Sequence, residues 1–209
     1  MFAVYKKELK NYLLTPIGYV FIGLFLFMFS IFFYLTIFNS SIINFEQLFY
    51  NGSNILLFIT PILTMRMFSE ERKNGTEQLL LTSPTSITKV VLGKFFAAGT
   101  IILITEIFTF IYYIILSFFG RPNLLVAVVT MAGFLLLGLS YISFGMFASS
   151  LTENQIIASV ISIGFFIVML FLPYFVPYFG FFSLSTNFDK FPNGIVSIKE
   201  IFTFVTFSI

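Results

Sequence analysis

The sequence FSEERKNGTEQLLLTSPTSITKVVLGK, Phe68–Lys94, is the only long polar segment in the first half of the chain. Apolar runs flank it on both sides, and it carries charged residues of both signs. Ser, Thr, Asn, Gly and Pro recur along it, and these residues favour turns and helix ends. The fold therefore depends on what the flanking apolar runs form and on where this loop lies.

The composition is that of a membrane protein. Of 209 residues, 58% are hydrophobic and 10% are charged, whereas soluble domains carry roughly 25% charged residues. A soluble fold of this size could not bury so much apolar surface. We therefore expect an all-α polytopic protein whose main environment is the lipid bilayer.

The chain contains no Cys and no His. Disulfides, thiolate chemistry and the usual zinc and haem ligands are thereby excluded from the sequence. The net charge of +2 gives no indication of a nucleic-acid partner. We expect no metal and no cofactor bound by this chain.

Apolar runs of about 20 residues match the thickness of the hydrocarbon core. They predict one domain over residues 1–209, with Pro16 at the start of the first span and Pro61 as a kink in the second. The predicted elements are an interfacial helix at 1–14, membrane helices at 17–38, 49–68, 87–119, 124–149 and 156–172, a loop at 69–86, an irregular region at 173–200 and the start of a sixth membrane helix at 201–209.

Three of these elements are not regular membrane spans. Residues 1–14 place apolar and basic residues on different helical faces, which favours a helix lying in the membrane interface; the alternative is a basic flank before the first span. Pro173 and Pro177 interrupt the pattern after the fifth span, and we expect two short external or re-entrant pieces there. Nine residues cannot span a bilayer, so the sixth helix is expected to be truncated.

The positions of Lys and Arg predict the orientation, because basic residues favour the cytoplasmic side. With a cytoplasmic N-terminus, eight basic residues lie inside and three lie outside. The inner residues are Lys6, Lys7, Lys10, Arg66, Arg72, Lys73, Lys89 and Lys94, and the outer ones are Arg121, Lys190 and Lys199. The loop at 69–86 is therefore expected in the cytoplasm.

The loop itself predicts a short helix. Lys73–Gly75 is typical of a turn, Thr76 can cap a new helix with Glu77 at its positive end, and Pro84 ends it. Leu79, Leu80 and Leu81 would give this projecting helix an apolar tip. Such a tip suits the groove of a partner protein; the alternative is a connector lying on lipid headgroups.

Several short segments carry a family resemblance along the whole chain. They are Glu70-Glu71-Arg72, Gly75-Thr76-Glu77, Leu80-Leu81, Ser83-Pro84, Val91-Leu92-Gly93-Lys94, Ser150-Leu151-Thr152-Glu153-Asn154, Phe188-Asp189 and Gly194-Ile195-Val196. In this order and spacing they resemble type 2 ABC transporter permeases, the ABC-2 family. Within that family the chain resembles permeases associated with gliding motility or multi-copper maturation.

The resemblance implies six membrane helices, an amphipathic N-terminal helix, re-entrant helices after the fifth span and a coupling helix between the second and third. It implies a permease in the cytoplasmic (inner) membrane of a prokaryote, paired with a second copy or a paralogue and docked on a separate ATPase subunit that binds ATP and Mg²⁺. The residues expected to couple to the ATPase are Glu70, Glu71, Arg72, Gly75, Thr76, Glu77, Leu79, Leu80, Leu81 and Pro84. The chain has no phosphate-binding loop of the form Gly-x-x-x-x-Gly-Lys-[Ser/Thr], so we expect a permease that does not itself hydrolyse ATP, and not an enzyme. The resemblance also implies that the direction of transport is export.

Glu106 lies near the middle of the third predicted span. A carboxylate at this depth is costly and is expected to face the bundle interior. It could line a pathway or join helices; alternatively it is satisfied by Thr105, Thr109 or Tyr112. Glu106 alone would also suit a proton-coupled carrier, which is a competing function. A non-transporting membrane scaffold is a further alternative. An intramembrane protease is unsupported, because the chain lacks the histidines that such an enzyme needs. The identity of the substrate cannot be read from the sequence.

Overall fold

The computed structural model describes residues 1–39, 45–76, 78, 86–120, 122–175 and 183–208. Within these ranges the secondary structure is helical, which confirms the all-helical expectation. The helices are α1 (Phe2–Leu14), α2 (Pro16–Asn39), α3 (Phe45–Thr64), α4 (Ser69–Lys73), α5 (Ile87–Phe119), α6 (Leu124–Leu151), α7 (Gln155–Phe175), α8 (Leu184–Phe188), a 3-10 helix (Phe191–Asn193) and α9 (Ile198–Ser208).

Five segments of the described chain are long and apolar enough to cross a membrane. They are Pro16–Thr36, Phe45–Lys73, Ile87–Phe119, Leu124–Leu151 and Gln155–Pro173. Their number agrees with a protein that crosses the bilayer several times. The sixth membrane helix stays a prediction, because α9 as described has 11 residues and about 20 are needed to span the hydrocarbon core.

Helix α6 lies at the centre of the bundle, where it packs against α3, α5, α7 and α9. Four buried phenylalanines join α2, α3 and α6. The ring centroids of Phe25 and Phe29 are 5.7 Å apart, those of Phe29 and Phe49 are 5.5 Å apart, and those of Phe49 and Phe134 are 5.1 Å apart. Since lipid tails are as apolar as side chains, close packing of this kind is what holds membrane helices together.

The segments after α7 fold back onto α6. Phe188 of α8 and Phe191 of the 3-10 helix are buried. Further along, the Ser140 hydroxyl of α6 donates to the carbonyl of Phe204 (3.1 Å), and the Ser143 hydroxyl donates to that of Ser208 (2.9 Å). Helix α9 therefore runs beside α6 in the same direction. Residues 176–182, which include Pro177, lie outside the described chain.

Helix α1 packs against the bundle through one face. The Tyr5 hydroxyl lies 3.0 Å from the Thr100 hydroxyl of α5, and the Tyr12 hydroxyl donates to the carbonyl of Leu63 at the end of α3 (3.0 Å). Burial and the neighbouring Glu8 carboxylate raise the pKa of Tyr12 above its ordinary value, so this phenol remains a donor. The predicted apolar face is thus divided, because Phe2 stays 75% exposed while Tyr12 is buried.

Candidate functional site

The candidate site lies at the end of the bundle where α1, the last turn of α3, α4, the first turns of α5 and the last turns of α6 meet. Helix α3 ends at Thr64, and a turn over 65–68 leads into α4. The polar stretch Phe68–Lys94 thus starts at this junction and returns to it at the beginning of α5.

Gly75 forms the C-terminal cap of α4. The amide of Gly75 donates to the carbonyl of Arg72 (3.1 Å), and the amide of Thr76 donates to that of Glu71 (2.9 Å). These two bonds form a Schellman motif, which needs a left-handed residue after the helix. Gly75 supplies it with φ +68°. The turn expected at Lys73–Gly75 is therefore the C-terminal cap of α4. The Thr76 hydroxyl also donates to the backbone carbonyl of Glu71 (3.2 Å).

Lys94 holds three helical segments together. Its ammonium nitrogen lies 2.7 Å from Glu71 Oε1 and 3.3 Å from Glu8 Oε1. It also donates to the carbonyl of Met67 (2.8 Å) and lies 5.4 Å from the centre of the Phe68 ring. We call Glu8, Met67, Phe68, Glu71 and Lys94 the junction cluster.

The junction cluster is largely shielded from water. The side chain of Lys94 is 3% exposed, that of Glu8 13% and that of Glu71 17%. A buried ammonium is strongly destabilising unless it is paired and hydrogen-bonded. Two carboxylates and one carbonyl meet this requirement, so the cluster fixes α1, α4 and α5 relative to one another.

Two further charged side chains of α4, those of Glu70 and Arg72, also bond within the chain. Arg66 and Glu70 form a two-point contact, with Nε 3.1 Å from Oε2 and Nη2 donating to Oε1 (3.2 Å). Both side chains are more than a third exposed, and such pairs contribute little to stability. Arg72 Nη1 donates to the carbonyl of Ser150 (2.7 Å) at the end of α6. These contacts orient α4 on the bundle.

One serine of α6 joins the turn over 65–68. The Ser149 hydroxyl accepts from the amides of Phe68 and Ser69, both at 3.1 Å, and donates to the carbonyl of Met65 (3.1 Å). These are backbone groups that the break between α3 and α4 leaves without helical partners. Ser149 therefore stabilises the break and attaches it to α6.

Two glycines permit close helix contacts at the same junction. A Cβ atom on Gly93 would lie 3.0 Å from Val4 Cβ, and one on Gly145 would lie 2.2 Å from Thr64 Oγ1. Small residues of this kind let membrane helices approach closely. Helix α5 thereby meets α1, and α6 meets α3, with little room for movement.

The structure places only part of the predicted coupling set. Glu70, Glu71, Arg72, Gly75 and Thr76 lie on α4 and its cap. Glu77, Leu79, Leu80, Leu81 and Pro84 lie outside the described residues. Their role in coupling stays a prediction.

Sequence reasoning did not find the partners of this set. Lys94 entered only as a basic residue and as part of a family motif, while Glu8 and Ser149 carried no role. Glu8 and Lys94 are 86 residues apart in the sequence, and no local pattern links them. A lysine within the apolar start of a membrane helix is the one signal that could have indicated a buried ion pair.

Glu106 lies away from this junction, on α5. It is 5% exposed. The expected partners bond elsewhere: Thr105 donates to the carbonyl of Ile101 (2.8 Å), Thr109 to the backbone carbonyl of Glu106 (2.6 Å), and the Tyr112 hydroxyl lies 2.5 Å from that of Ser30. Its Oε1 has no hydrogen-bond partner among the described residues.

Comparison with known protein families matches residues 2–207 to the family described as ABC-2 family transporter protein. No curated protein matches the chain. The match covers the junction, all five apolar spans and most of α9.

Proposed function

Because the chain belongs to the ABC-2 transporter family, we propose that it is the membrane-spanning permease subunit of an ABC transporter. It is a multi-pass membrane protein. Proteins of its family are the membrane components of transporters and are not themselves catalytic. Members of the family work with ABC ATPase partners. On this proposal ATP and Mg²⁺ are bound by a separate ATPase subunit, and this chain moves the substrate.

The proposed orientation places the junction on the cytoplasmic side. Eight of the eleven Lys and Arg residues lie at that end with a cytoplasmic N-terminus, as the positive-inside rule favours. An ATPase in the cytoplasm would then reach the stretch between α4 and α5. The proposed membrane is the cytoplasmic membrane of a prokaryote.

The observation that carries the proposal is the junction cluster. Lys94 lies at the start of α5, Glu71 on α4 and Glu8 on α1, and the three charges are in direct contact. The stretch between α4 and α5 is thus attached at both of its ends to one charged cluster. A push on that stretch would move α1, α4 and α5 together, which is what coupling to an ATPase requires.

The contacts refine the roles proposed for individual residues. Glu71 pairs with Lys94, and Glu70 pairs with Arg66, so we assign both to positioning the stretch. Asn74, Gly75 and Thr76 are exposed and are available to a partner. On this proposal they contact the ATPase directly, together with Glu77, Leu79, Leu80, Leu81 and Pro84.

Further details are proposed on the family resemblance alone. The permease pairs with a second copy or a paralogue, and the direction of transport is export. The similarity to gliding-motility and multi-copper-maturation permeases also stays a prediction. A proton-coupled carrier built on Glu106 is the second candidate function, favoured by the buried Oε1 of that residue, which has no hydrogen-bond partner in the described part of the chain.

Affinity purification from native membranes tests the proposal. The tagged chain is expected to bring down an ABC ATPase subunit, and ATP hydrolysis by the complex is expected to differ several-fold from that of the ATPase alone. Purification without any ATPase, together with proton-driven transport in liposomes lacking ATP, would instead favour the carrier. A Glu106→Gln variant separates the two, since it abolishes proton coupling in a carrier.

The cap of α4 gives a specific prediction. Gly75→Ala is expected to cost about 1 kcal/mol locally, because an L residue is strained in the left-handed conformation. Among the described residues, apart from its two neighbours in the chain, no atom lies within 4 Å of the added Cβ, so the expected effect is conformational and not steric. We expect thermal unfolding to be nearly unchanged and ATP hydrolysis to be coupled to transport several-fold less efficiently.

Gly75→Asn is the matched control for this prediction. Asparagine tolerates the left-handed conformation better than alanine does. It is expected to retain most of the coupling. Equal coupling in wild type and Gly75→Ala would show that the cap has no part in force transfer.

A further inference from the structure

Glu106 lies against a groove between α5 and α6. The groove has a volume of about 560 Å³. Apart from Glu106 and Ala132 its walls are large apolar side chains, namely Leu103, Ile107 and Phe110 of α5 and Val128, Met131 and Leu135 of α6. A volume of this size is typical of small-molecule sites, which are mostly apolar with a few placed polar groups.

One carboxylate oxygen of Glu106 has no hydrogen-bond partner among the described residues. Glu106 is 5% exposed, and this atom, Oε1, accepts no hydrogen bond from the described part of the chain. The nearby hydroxyls of Thr105 and Thr109 donate to backbone carbonyls instead. Buried polar atoms are almost always hydrogen-bonded, so this acceptor indicates a donor from outside the described residues.

The groove does not resemble a surface built for another membrane helix. Helices approach each other through small residues, and the glycines of α5 and α6 are used inside the chain. A Cβ on Gly99 would lie 2.8 Å from Leu139, and one on Gly138 would lie 2.9 Å from Ile102. Several groove residues remain open, with Ile107 60% and Val128 54% exposed. A flexible apolar molecule suits such walls better than a second helix does.

We propose that this groove binds a lipophilic molecule that carries a hydrogen-bond donor, a hydroxyl or an amine, on an apolar body. The donor group binds Glu106 Oε1, and the apolar body lies along the walls from α5 and α6. The inference rests on the proposed permease function, and it gives the chemical class of the transported substrate.

The test uses the absence of native tryptophan. A Val128→Trp reporter is placed in the purified chain, and a Val168→Trp reporter, 59% exposed on α7, serves as the reference for unspecific partitioning. Quenching by bromooctanol, bromooctylamine and bromooctane is measured in detergent. The three probes share the same apolar tail and differ in the donor group.

We expect the alcohol and the amine to quench the Val128→Trp reporter at about tenfold lower concentration than bromooctane, as one hydrogen bond to a carboxyl group predicts. Glu106→Leu is expected to abolish this preference. Glu106→Gln keeps an acceptor oxygen and is expected to retain it for the alcohol. The Val168→Trp reference is expected to show no preference.

Three results would overturn the inference. They are equal quenching by all three probes, a preference that survives Glu106→Leu, and crosslinking of two chains through Leu103→Cys in membranes, which would show that a second copy covers the groove. The chain has no native cysteine to interfere. Because the assay contains no ATPase, failure here leaves the permease function standing, and loss of the ATPase partner leaves this result standing.

Discussion

Replacing Lys94 with methionine is expected to lower the free energy of unfolding by about 3 kcal/mol and to abolish coupling to ATP hydrolysis. Removing one partner of a buried ion pair typically costs about 3–5 kcal/mol. The lower end applies here, because Glu8 and Glu71 keep 13% and 17% of their side-chain exposure and can rehydrate in part. Without the ammonium, the two carboxylates repel each other, and α1 separates from α4.

The measurements are thermal unfolding in detergent and ATP hydrolysis by the complex. Lys89→Met is the matched control, since Lys89 is an exposed lysine in the first turn of the same helix. It is expected to behave like wild type. A triple variant, Glu8→Gln, Glu71→Gln and Lys94→Met, removes all three charges and is expected to regain stability but not coupling. Wild-type coupling in Lys94→Met would exclude the junction cluster from force transfer.

Gly145→Ala has the second largest expected effect. Its Cβ would lie 2.2 Å from Thr64 Oγ1 and 2.7 Å from Thr64 Cβ, and both atoms belong to a short, buried side chain that has little freedom to move. Overpacking a tight interior costs about 1–3 kcal/mol. We expect a loss of this size and a displacement of α3 from α6.

Gly164→Ala provides the control, because outside the backbone of α7 no atom of the described residues lies within 4 Å of a Cβ at that position. This variant is expected to be neutral or slightly stabilising, since alanine favours the helix. Thermal unfolding of the two variants side by side measures the difference. Equal stability would show that α3 and α6 are not closely packed at Thr64.

The membrane helices could be predicted from the sequence because each needs only a local property. A run such as Ile17–Phe38 contains no charge and is long enough to cross the bilayer. Sequence periodicity also indicated that α1 has two different faces. It could not show which apolar residues of α1 contact α5, because that depends on the approach of Val4 to Gly93.

Of the candidate site, the sequence predicted a turn at Lys73–Gly75, which suits the left-handed backbone that glycine favours. It did not predict that this turn caps a helix over Ser69–Lys73. The internal partners of α4 depend on tertiary contacts, such as Lys94 with Glu8 and Arg72 with the carbonyl of Ser150. No sequence pattern gave a reason for the many phenylalanines. In the structure, several of them form the ring contacts that join α2, α3 and α6.

On the proposed function, the stretch between α4 and α5 faces the cytoplasm and binds an ATPase. Photo-crosslinking from a benzophenone amino acid at Asn74, an exposed position in the cap of α4, tests this in native membranes. We expect an adduct with an ABC ATPase subunit from position 74 and none from Asn193 at the opposite end. An ATPase adduct from position 193, or none from position 74 while the ATPase is present, would contradict it.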